Sequence, residues 1–255
     1  MARPLARRVA LVSGASRGIG KGIALELGEA GVTVYVTGRT RPAVAATADA
    51  VTRLGGKGIS APCDHRREDE VRAVFRRIEA EHGRLDLCVN NLLPSEGLGR
   101  QPFWELPQSA WDEHAATLRA QYLTTRLAAP IMIARGGGLI LFVSSSGAAR
   151  FFSNVADHAM QAAVDKLAAD MADELRVHGV TVVSLWPGLT KTERVLGQPE
   201  RYDLGAAGTP QFTGRAVVSL AADPDVSAKT GRALPVLDLA HEYGFTDVDG
   251  TLPDW

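Results

Sequence analysis

Short runs of apolar, often β-branched residues alternate along the chain with longer segments of helical spacing. The apolar runs that predict strands cover residues 9–13, 33–37, 58–61, 85–90, 139–144, 181–186 and 233–237. The segments whose apolar spacing predicts helices cover residues 18–30, 43–54, 68–82, 108–135 and 157–177. Strands that are nearly all apolar are covered on both faces, and strand–helix–strand units join parallel strands. The pattern therefore predicts an α/β protein with a doubly wound parallel sheet and helices on both faces.

The same pattern predicts the domain organisation. No internal repeat, low-complexity tract or linker interrupts the alternation, so residues 1–255 are predicted to form one domain. Two irregular stretches, at about 92–107 and 189–213, follow the carboxyl ends of strands, where open α/β sheets bind ligands. We expect substrate loops there, and the second stretch has the length of a lid. The alternative is that one of these loops is a dimer contact or plain surface.

Composition narrows the class of protein. The net charge of −1 argues against a general affinity for nucleic acid or for an anionic membrane. Cys63 and Cys88 lie in apolar runs and are interpreted as buried free thiols of a reducing compartment. The sequence shows no signal peptide, no apolar run long enough to span a bilayer and no metal-ligand spacing. We therefore expect a cytoplasmic protein without a metal site.

A glycine-rich loop joins the first predicted strand to the first predicted helix. Its glycine spacing permits a tight turn and lets the backbone approach a phosphate closely. The helix that follows offers free N–H groups and the positive end of its dipole to a pyrophosphate. The sequence therefore predicts a dinucleotide site, whose residues in this loop are Gly14, Ser16, Arg17, Gly18, Ile19 and Gly20.

The charge after the second strand indicates which dinucleotide binds. An acidic residue there would hold a free ribose 2′-hydroxyl, but this chain has Arg39 and Arg41, with Arg17 in the glycine loop. Guanidinium groups bind a 2′-phosphate through charge-assisted bonds, so we predict NADP(H). The alternative is that Arg39 and Arg41 are only solvated charges at a helix entry. Asp64 is placed to contact adenine, or to cap the helix that begins near Arg67.

Further motifs match one family over essentially the whole chain. They are Val89-Asn90-Asn91, Val143-Ser144-Ser145 and Trp186-Pro187-Gly188-Leu189-Thr190-Lys191-Thr192. With the glycine loop and Asp64 they resemble the short-chain dehydrogenase/reductase family, and residues 162–170, 183–188 and 243–250 resemble its DHRS-one-like branch. The resemblance implies a Rossmann-type sheet of about seven strands in the order 3-2-1-4-5-6-7. It also implies cofactor contacts by Asn90, Pro187, Gly188 and Thr190.

The chain departs from the family's pattern at the residues that carry its proton chemistry. The family's Tyr-x-x-x-Lys motif would fall at the start of the fifth helix, which places Asp157 at the tyrosine and Gln161 at the lysine. Thr117 lies where many relatives keep an asparagine, and only the serine, Ser144 or Ser145, survives. In the family the tyrosine gives a proton to a carbonyl oxygen that the serine holds. The lysine binds the nicotinamide ribose and lowers the tyrosine pKa.

These departures predict an altered reaction. The reference pKa is near 10 for tyrosine and near 3.9 for aspartate, so an ordinary Asp157 has no proton to give at neutral pH unless burial raises its pKa. An anion there suits a cationic substrate that Ser144 or Ser145 orients, while Gln161 bonds a ribose hydroxyl. We therefore predict an NADPH-dependent oxidoreductase that reduces an imine, an iminium ion or an activated C=C rather than a simple ketone.

Other interpretations of these residues stay open. Asp157 is also a favoured type of helix cap, and His158 is the other titratable candidate. The chain could instead be a cyclase, isomerase or dehydratase that does no net redox chemistry, or a pseudoenzyme that only binds the cofactor.

The partners are predicted in outline. The family resemblance implies a homodimer or homotetramer that packs through the helices at 108–135 and 157–177. Aromatic residues indicate an apolar or aromatic small-molecule substrate, unless they are core or dimer contacts. These residues are Phe103, Trp104, Trp111, Phe151, Phe152 and Tyr202.

Overall fold

Seven parallel strands form the centre of the described part of the chain, residues 5–94 and 101–255 of a computed structural model. The strands are β1 (Val9–Val12), β2 (Thr33–Gly38), β3 (Lys57–Pro62), β4 (Leu87–Asn90), β5 (Gly138–Val143), β6 (Val180–Trp186) and β7 (Ala233–Pro235). They form one sheet in the order β3-β2-β1-β4-β5-β6-β7, and neighbouring strands pair in parallel. The predicted fold class and strand order are confirmed.

Helices connect the strands. They are α1 (Gly18–Glu29), α2 (Arg41–Arg53), α3 (Glu68–His82), α4 (Gln108–Arg135), α5 (Val155–Leu175), α6 (Glu193–Leu196), α7 (Pro210–Ala222) and α8 (Val236–Tyr243). The bounds of α3 and α4 agree with the sequence prediction. Within the described ranges, no helix is both long enough and apolar enough to cross a membrane.

Several predicted boundaries differ from the structure by one or two residues, and two of these differences have a clear local reason. α5 begins before residue 157, because the side-chain oxygen of Asn154 accepts the Asp157 N–H at 2.9 Å and caps the helix. The last strand ends at Pro235 instead of residue 237. Val236 and Leu239 are buried with helical spacing, so this segment packs as α8.

The helices cover the sheet on both faces. Along β1, Ala10 and Val12 pack in one apolar cluster with α1, α2, α7 and α8. Val9 and Leu11 pack in a second cluster with α3, α4 and α5. Successive side chains of a strand point to opposite faces, so both sets of side chains in a strand between two helical layers are buried, and all four residues of β1 are apolar.

The order in which successive strands are added to the sheet reverses at β1. This strand lies between β2 and β4, and the helices that follow β1 and β4, α1 and α4, pack on opposite faces. Open α/β sheets bind ligands at the carboxyl ends of strands at such a switch point.

The two predicted substrate loops lie beyond this edge. The loop at 92–107 is described only in part, because residues 95–100 lie outside the described ranges. Its later part holds a short 3₁₀ helix at Phe103–Glu105. The loop at 189–213 contains α6 and a 3₁₀ helix at Pro199–Arg201, and its last residues belong to α7.

Candidate functional site

A cleft of about 480 Å³ opens at the carboxyl ends of β1, β2, β3 and β4. Its walls come from the glycine loop, the residues after β2, β3 and β4, one side of α4 and the start of α6. This volume lies within the range of small-molecule sites. The predicted cofactor residues in this lining are Gly14, Ser16, Arg17, Gly18, Ile19, Arg39 and Asp64.

The glycine loop needs its glycines. Gly14 and Gly18 have φ angles of 62° and 57°, a region that glycine adopts without strain. A Cβ on Gly20 would lie 2.5 Å from the side-chain nitrogen of Asn91. That nitrogen donates to the Gly14 carbonyl at 3.3 Å. The absence of a side chain at Gly20 therefore leaves room for Asn91, which holds the glycine loop through Gly14. The sequence prediction did not include Asn91, although it is the second asparagine of the motif after β4.

The first turn of α1 is built to accept an anion. Its N-cap residue, Arg17, is extended and makes no side-chain cap bond. The Gly18 N–H donates to the carboxylate of Glu193 at 2.9 Å. A carboxylate is an anion, as a phosphate is, and the N-terminus of a helix favours anions. The residues present therefore fit the pyrophosphate of a dinucleotide, and Glu193 is a competitor for one of its donors.

We expect Glu193→Gln to bind NADPH about 2- to 5-fold more tightly, because an anion at a helix N-terminus is worth about 0.3–1 kcal/mol and this variant removes the competing charge. Titration calorimetry with NADPH measures the change in Kd. Glu200→Gln is the matched control, since Glu200 is exposed in the following 3₁₀ helix and outside the cleft lining. An unchanged or higher Kd for Glu193→Gln would show that the carboxylate does not compete.

The side of the cleft that follows β2 and β3 carries opposite charges. Arg17 and Arg39 are exposed at its mouth. The carboxylate of Asp64 accepts the backbone N–H of Arg66 at 3.0 Å and its guanidinium at 3.0 and 3.1 Å. The Arg66 guanidinium lowers the pKa of Asp64. Asp64 does not cap α3, because the N-cap residue is Arg67 and no side chain caps it.

His65 anchors this side of the cleft to the core. Its ring nitrogens lie 2.7 Å from the Thr37 hydroxyl and 2.9 Å from the Thr124 hydroxyl. Burial lowers the pKa of His65 to about 4, so the ring is neutral at physiological pH. This histidine therefore has a structural role beneath Asp64.

Asp157 lies in the first turn of α5, but it is not the helix cap. Asn154 is the cap, and it accepts the Asp157 N–H. The Asp157 carboxylate instead lies 3.5 Å from Nε2 of His114 on α4. The other ring nitrogen of His114 lies 2.7 Å from the Ala110 carbonyl oxygen. The carboxylate of Asp157 raises the pKa of His114, and burial opposes this shift.

The structure brings Ser144 and Gln161 together. The Ser144 hydroxyl is buried and donates to the backbone carbonyl of Gln161 at 3.3 Å. The Ser145 hydroxyl accepts the Gly147 N–H at 3.1 Å and is partly exposed, so its own proton stays available. Ser144 thus ties β5 to α5, and Ser145 is the serine that can donate to a ligand.

Four buried side-chain amide oxygens lack hydrogen-bond partners in the described part of the chain, and of the four residues only Asn91 lines the cleft. They belong to Asn90, Asn91, Gln121 and Gln161. Buried polar atoms are usually paired, so these oxygens mark a place where a polar ligand or water is expected. Asn90 is fully buried, and its side-chain N–H donates to the Thr125 hydroxyl oxygen at 2.9 Å.

The proline-glycine segment after β6 lies outside the cleft lining. Gly188 has a φ of 73°, and a Cβ there would lie 2.1 Å from the indole ring of Trp255. Thr190 is buried, and its hydroxyl donates to the Gly188 carbonyl at 3.2 Å. Cofactor contact by Pro187, Gly188 and Thr190 stays a prediction.

His158 faces away from its neighbour Asp157. It packs between the rings of Phe151 and Phe152, at centroid distances of 5.2 and 4.5 Å, and one ring nitrogen lies 3.1 Å from the Ser153 hydroxyl. These contacts favour a packing role for His158. Phe103 and Phe151 also border a second cavity of about 590 Å³, together with Trp104, Phe152 and Asn154.

The match to known proteins decides the family. A model of the short chain dehydrogenase family matches residues 8–202. The chain belongs to the short-chain dehydrogenase family. Proteins of this family are oxidoreductases that use nicotinamide cofactors and bind small-molecule substrates, and many form oligomers. The predicted family and the predicted class of cofactor are thereby confirmed.

Several relatives agree with this assignment. The mouse and human proteins named dehydrogenase/reductase SDR family member 1 are each 42% identical to this chain over 269 residues, which is 98% of this chain and 86% of theirs. A short-chain type dehydrogenase/reductase from Mycobacterium ulcerans has a TM-score of 0.83 at 28% identity, over 92% of this chain and 90% of that one. A 7α-hydroxysteroid dehydrogenase complexed with NADH and 7-oxo glycochenodeoxycholic acid has a TM-score of 0.78 at 26% identity, over 91% and 93% of the chains.

Proposed function

We propose that this chain is an NADP(H)-dependent reductase in which Asp157 and Gln161 take the places of the family's tyrosine and lysine. Its substrate is an imine, an iminium ion or an activated C=C rather than a simple ketone. The observation that carries the proposal is the half-exposed Asp157 carboxylate beside His114, one helical turn before the buried, unpartnered amide oxygen of Gln161. A carboxylate in this place favours positive charge on the substrate.

Charge at the adenine end supports the phosphorylated dinucleotide. Arg17 and Arg39 line the mouth of the cleft, and β2 ends in Gly38 without a carboxylate that could hold a ribose 2′-hydroxyl. Guanidinium groups form charge-assisted bonds with a phosphate. The nicotinamide ring, when bound, supplies the hydride. The side-chain amide of Gln161 can bond a ribose hydroxyl, but it carries no charge.

The substrate side combines an anion, a hydroxyl and aromatic rings. Asp157 stabilises a cationic carbon–nitrogen double bond, and the free hydroxyl proton of Ser145 orients the substrate. The aromatic cavity at Phe103, Trp104, Phe151 and Phe152 supports an apolar or aromatic substrate. Asn154 borders that cavity and also caps the turn that carries Asp157.

We also propose one domain over residues 1–255 and a homodimer or homotetramer. Trp111 and Tyr122 support an oligomer, because both are exposed aromatic residues on α4. Aromatic residues are enriched at the cores of protein interfaces.

Cofactor consumption tests the proposed reaction. We expect NADPH oxidation with a cyclic imine to exceed that with a matched cyclic ketone by at least about 10-fold in kcat/KM, because an imine nitrogen is far more basic than a ketone oxygen and is protonated by a much weaker acid. Absorbance at the NADPH band measures the rates, and chromatography measures the products. Product without NADPH consumption would instead indicate a cyclase, isomerase or dehydratase. Tight NADPH binding without turnover of any substrate would indicate a nucleotide-binding pseudoenzyme.

A further inference from the structure

His114 and Asp157 connect α4 to α5, with Nε2 of His114 lying 3.5 Å from Oδ1 of Asp157. We propose that the two side chains act as one proton-carrying pair, in which His114 holds the proton that Asp157 passes to the nitrogen of a neutral imine. This proposal rests on the reductase function proposed above, and it names the substrate class. His114 is a positioning residue in this scheme, because it acts on the substrate through Asp157.

The surroundings of the imidazole favour its charged form. Nδ1 of His114 lies 2.7 Å from the Ala110 carbonyl oxygen, which only accepts, so Nδ1 carries a hydrogen. In a neutral ring, Nε2 would then point its lone pair at the Asp157 carboxylate, which also only accepts. A proton on Nε2 replaces this repulsion with a charge-assisted contact.

The charges on both helices act in the same direction. Among the described residues, the charged groups that act on His114 are Asp157 on α5 and Glu113 on α4. The carboxylate of Asp157 raises the pKa of His114 above its ordinary value, and the Ala110 carbonyl and Glu113 add to this effect, while burial lowers it. The imidazolium ion therefore persists to higher pH than in an ordinary histidine.

A proton relay needs one group that is shielded from solvent and one that a substrate can reach, and His114 and Asp157 differ in exposure in this way. The side chain of His114 is only 5% exposed, whereas that of Asp157 is 37% exposed. The proton is therefore held on the buried ring, and the accessible carboxyl group can present it to a ligand. An isolated aspartate has no proton to give at neutral pH, but a protonated imidazole beside it can supply one through the carboxylate.

The proton step balances within the pair and the substrate. The proton leaves Nε2 of His114, passes to the Asp157 carboxylate and then to the imine nitrogen. The ring becomes neutral imidazole, the carboxylate is regenerated, and the imine becomes an iminium ion that is ready to accept a hydride. Solvent returns a proton to the imidazole after turnover. The separation of 3.5 Å is longer than a hydrogen bond, so it must shorten when the substrate binds.

Two matched substrates test this proposal. One is the neutral imine 3,4-dihydroisoquinoline, and the other is its N-methyl iminium salt, which needs no proton. We expect His114→Gln to lower kcat/KM for the neutral imine by about 100-fold and that for the salt by less than about 3-fold, since glutamine keeps a hydrogen-bond donor but holds no transferable proton. The control is His241→Gln, at an exposed histidine on α8. In the wild type, kcat/KM for the neutral imine should fall as the pH rises through the raised pKa of His114, because the ring then loses the proton.

Nuclear magnetic resonance titration of His114 gives a readout that needs neither turnover nor a His114 variant. We expect the pKa of His114 to move down toward its ordinary value in Asp157→Asn. An unchanged His114 pKa in that variant would overturn the proposal, and so would an equal change of kcat/KM for both substrates in His114→Gln. If the wild type turned over neither substrate, the proposed reduction of carbon–nitrogen double bonds would itself be wrong, and the relay would be refuted with it.

Discussion

Replacing Asp157 with asparagine should lower kcat/KM for a cyclic imine by about 100-fold, the usual scale for removing one electrostatic or acid–base group from an active site. Asparagine has the same shape as aspartate but neither its charge nor its proton, so the loss reports chemistry rather than packing. The Kd for NADPH should stay within about 2-fold of wild type, because Asp157 does not line the dinucleotide cleft. Steady-state kinetics and calorimetry measure the two quantities.

The control for this variant lies on the same helix. Asp170 forms an exposed ion pair with Lys166, four residues away on α5. Asp170→Asn makes the same chemical change without touching the site, and it should leave imine turnover unchanged because exposed ion pairs contribute little. If Asp157→Asn turned over the imine as fast as the wild type, the carboxylate would have no role in the reaction. Equal losses of imine turnover in both variants would indicate that the substitutions disrupt the structure of α5 rather than a step of the reaction.

The backbone of this protein could be predicted because its signals are local. Most strand positions are apolar because both faces of the sheet are covered, and the amphipathic spacing of α3 reproduces its bounds, Glu68–His82. The start of α5 was predicted less well, because the capping residue Asn154 lies outside the apolar pattern.

The phosphate half of the site could also be predicted from sequence. Gly14, Gly18 and Gly20 encode a backbone shape through their spacing alone, and the structure shows two of them at positive φ and the third without room for a Cβ. The acid–base half could not be predicted in the same way. The contact between Glu193 and Gly18 joins residues 175 positions apart, and that between His114 and Asp157 joins two helices. Neither contact follows from any periodicity, because the packing of α4 on α5 and the path of the loop after β6 determine them.

Arg39→Glu should reverse the dinucleotide preference. We expect the ratio of the Kd values for NADPH and NADH to rise by about 100-fold, since the variant removes a charge-assisted bond to the 2′-phosphate and places a carboxylate where a ribose 2′-hydroxyl can be held. Most of the change should come from weaker NADPH binding. Calorimetry with both dinucleotides measures the ratio. Higher ionic strength should raise the ratio in the wild type, because screening at this exposed site weakens NADPH binding more than NADH binding.

The surroundings of Arg39 make this substitution selective. Asp64 is already held by Arg66, so the loss of the Arg39 charge leaves the aspartate paired. The matched control is Arg76→Glu, a charge reversal at an exposed position of α3 outside the cleft lining. It changes the net charge equally and should leave the ratio unchanged. If Arg76→Glu shifted the ratio as far as Arg39→Glu, the preference would arise from the overall charge of the protein. If neither variant shifted it, the 2′-phosphate would have to be bound elsewhere, for example by Arg17 in the glycine loop, which also lines the cleft.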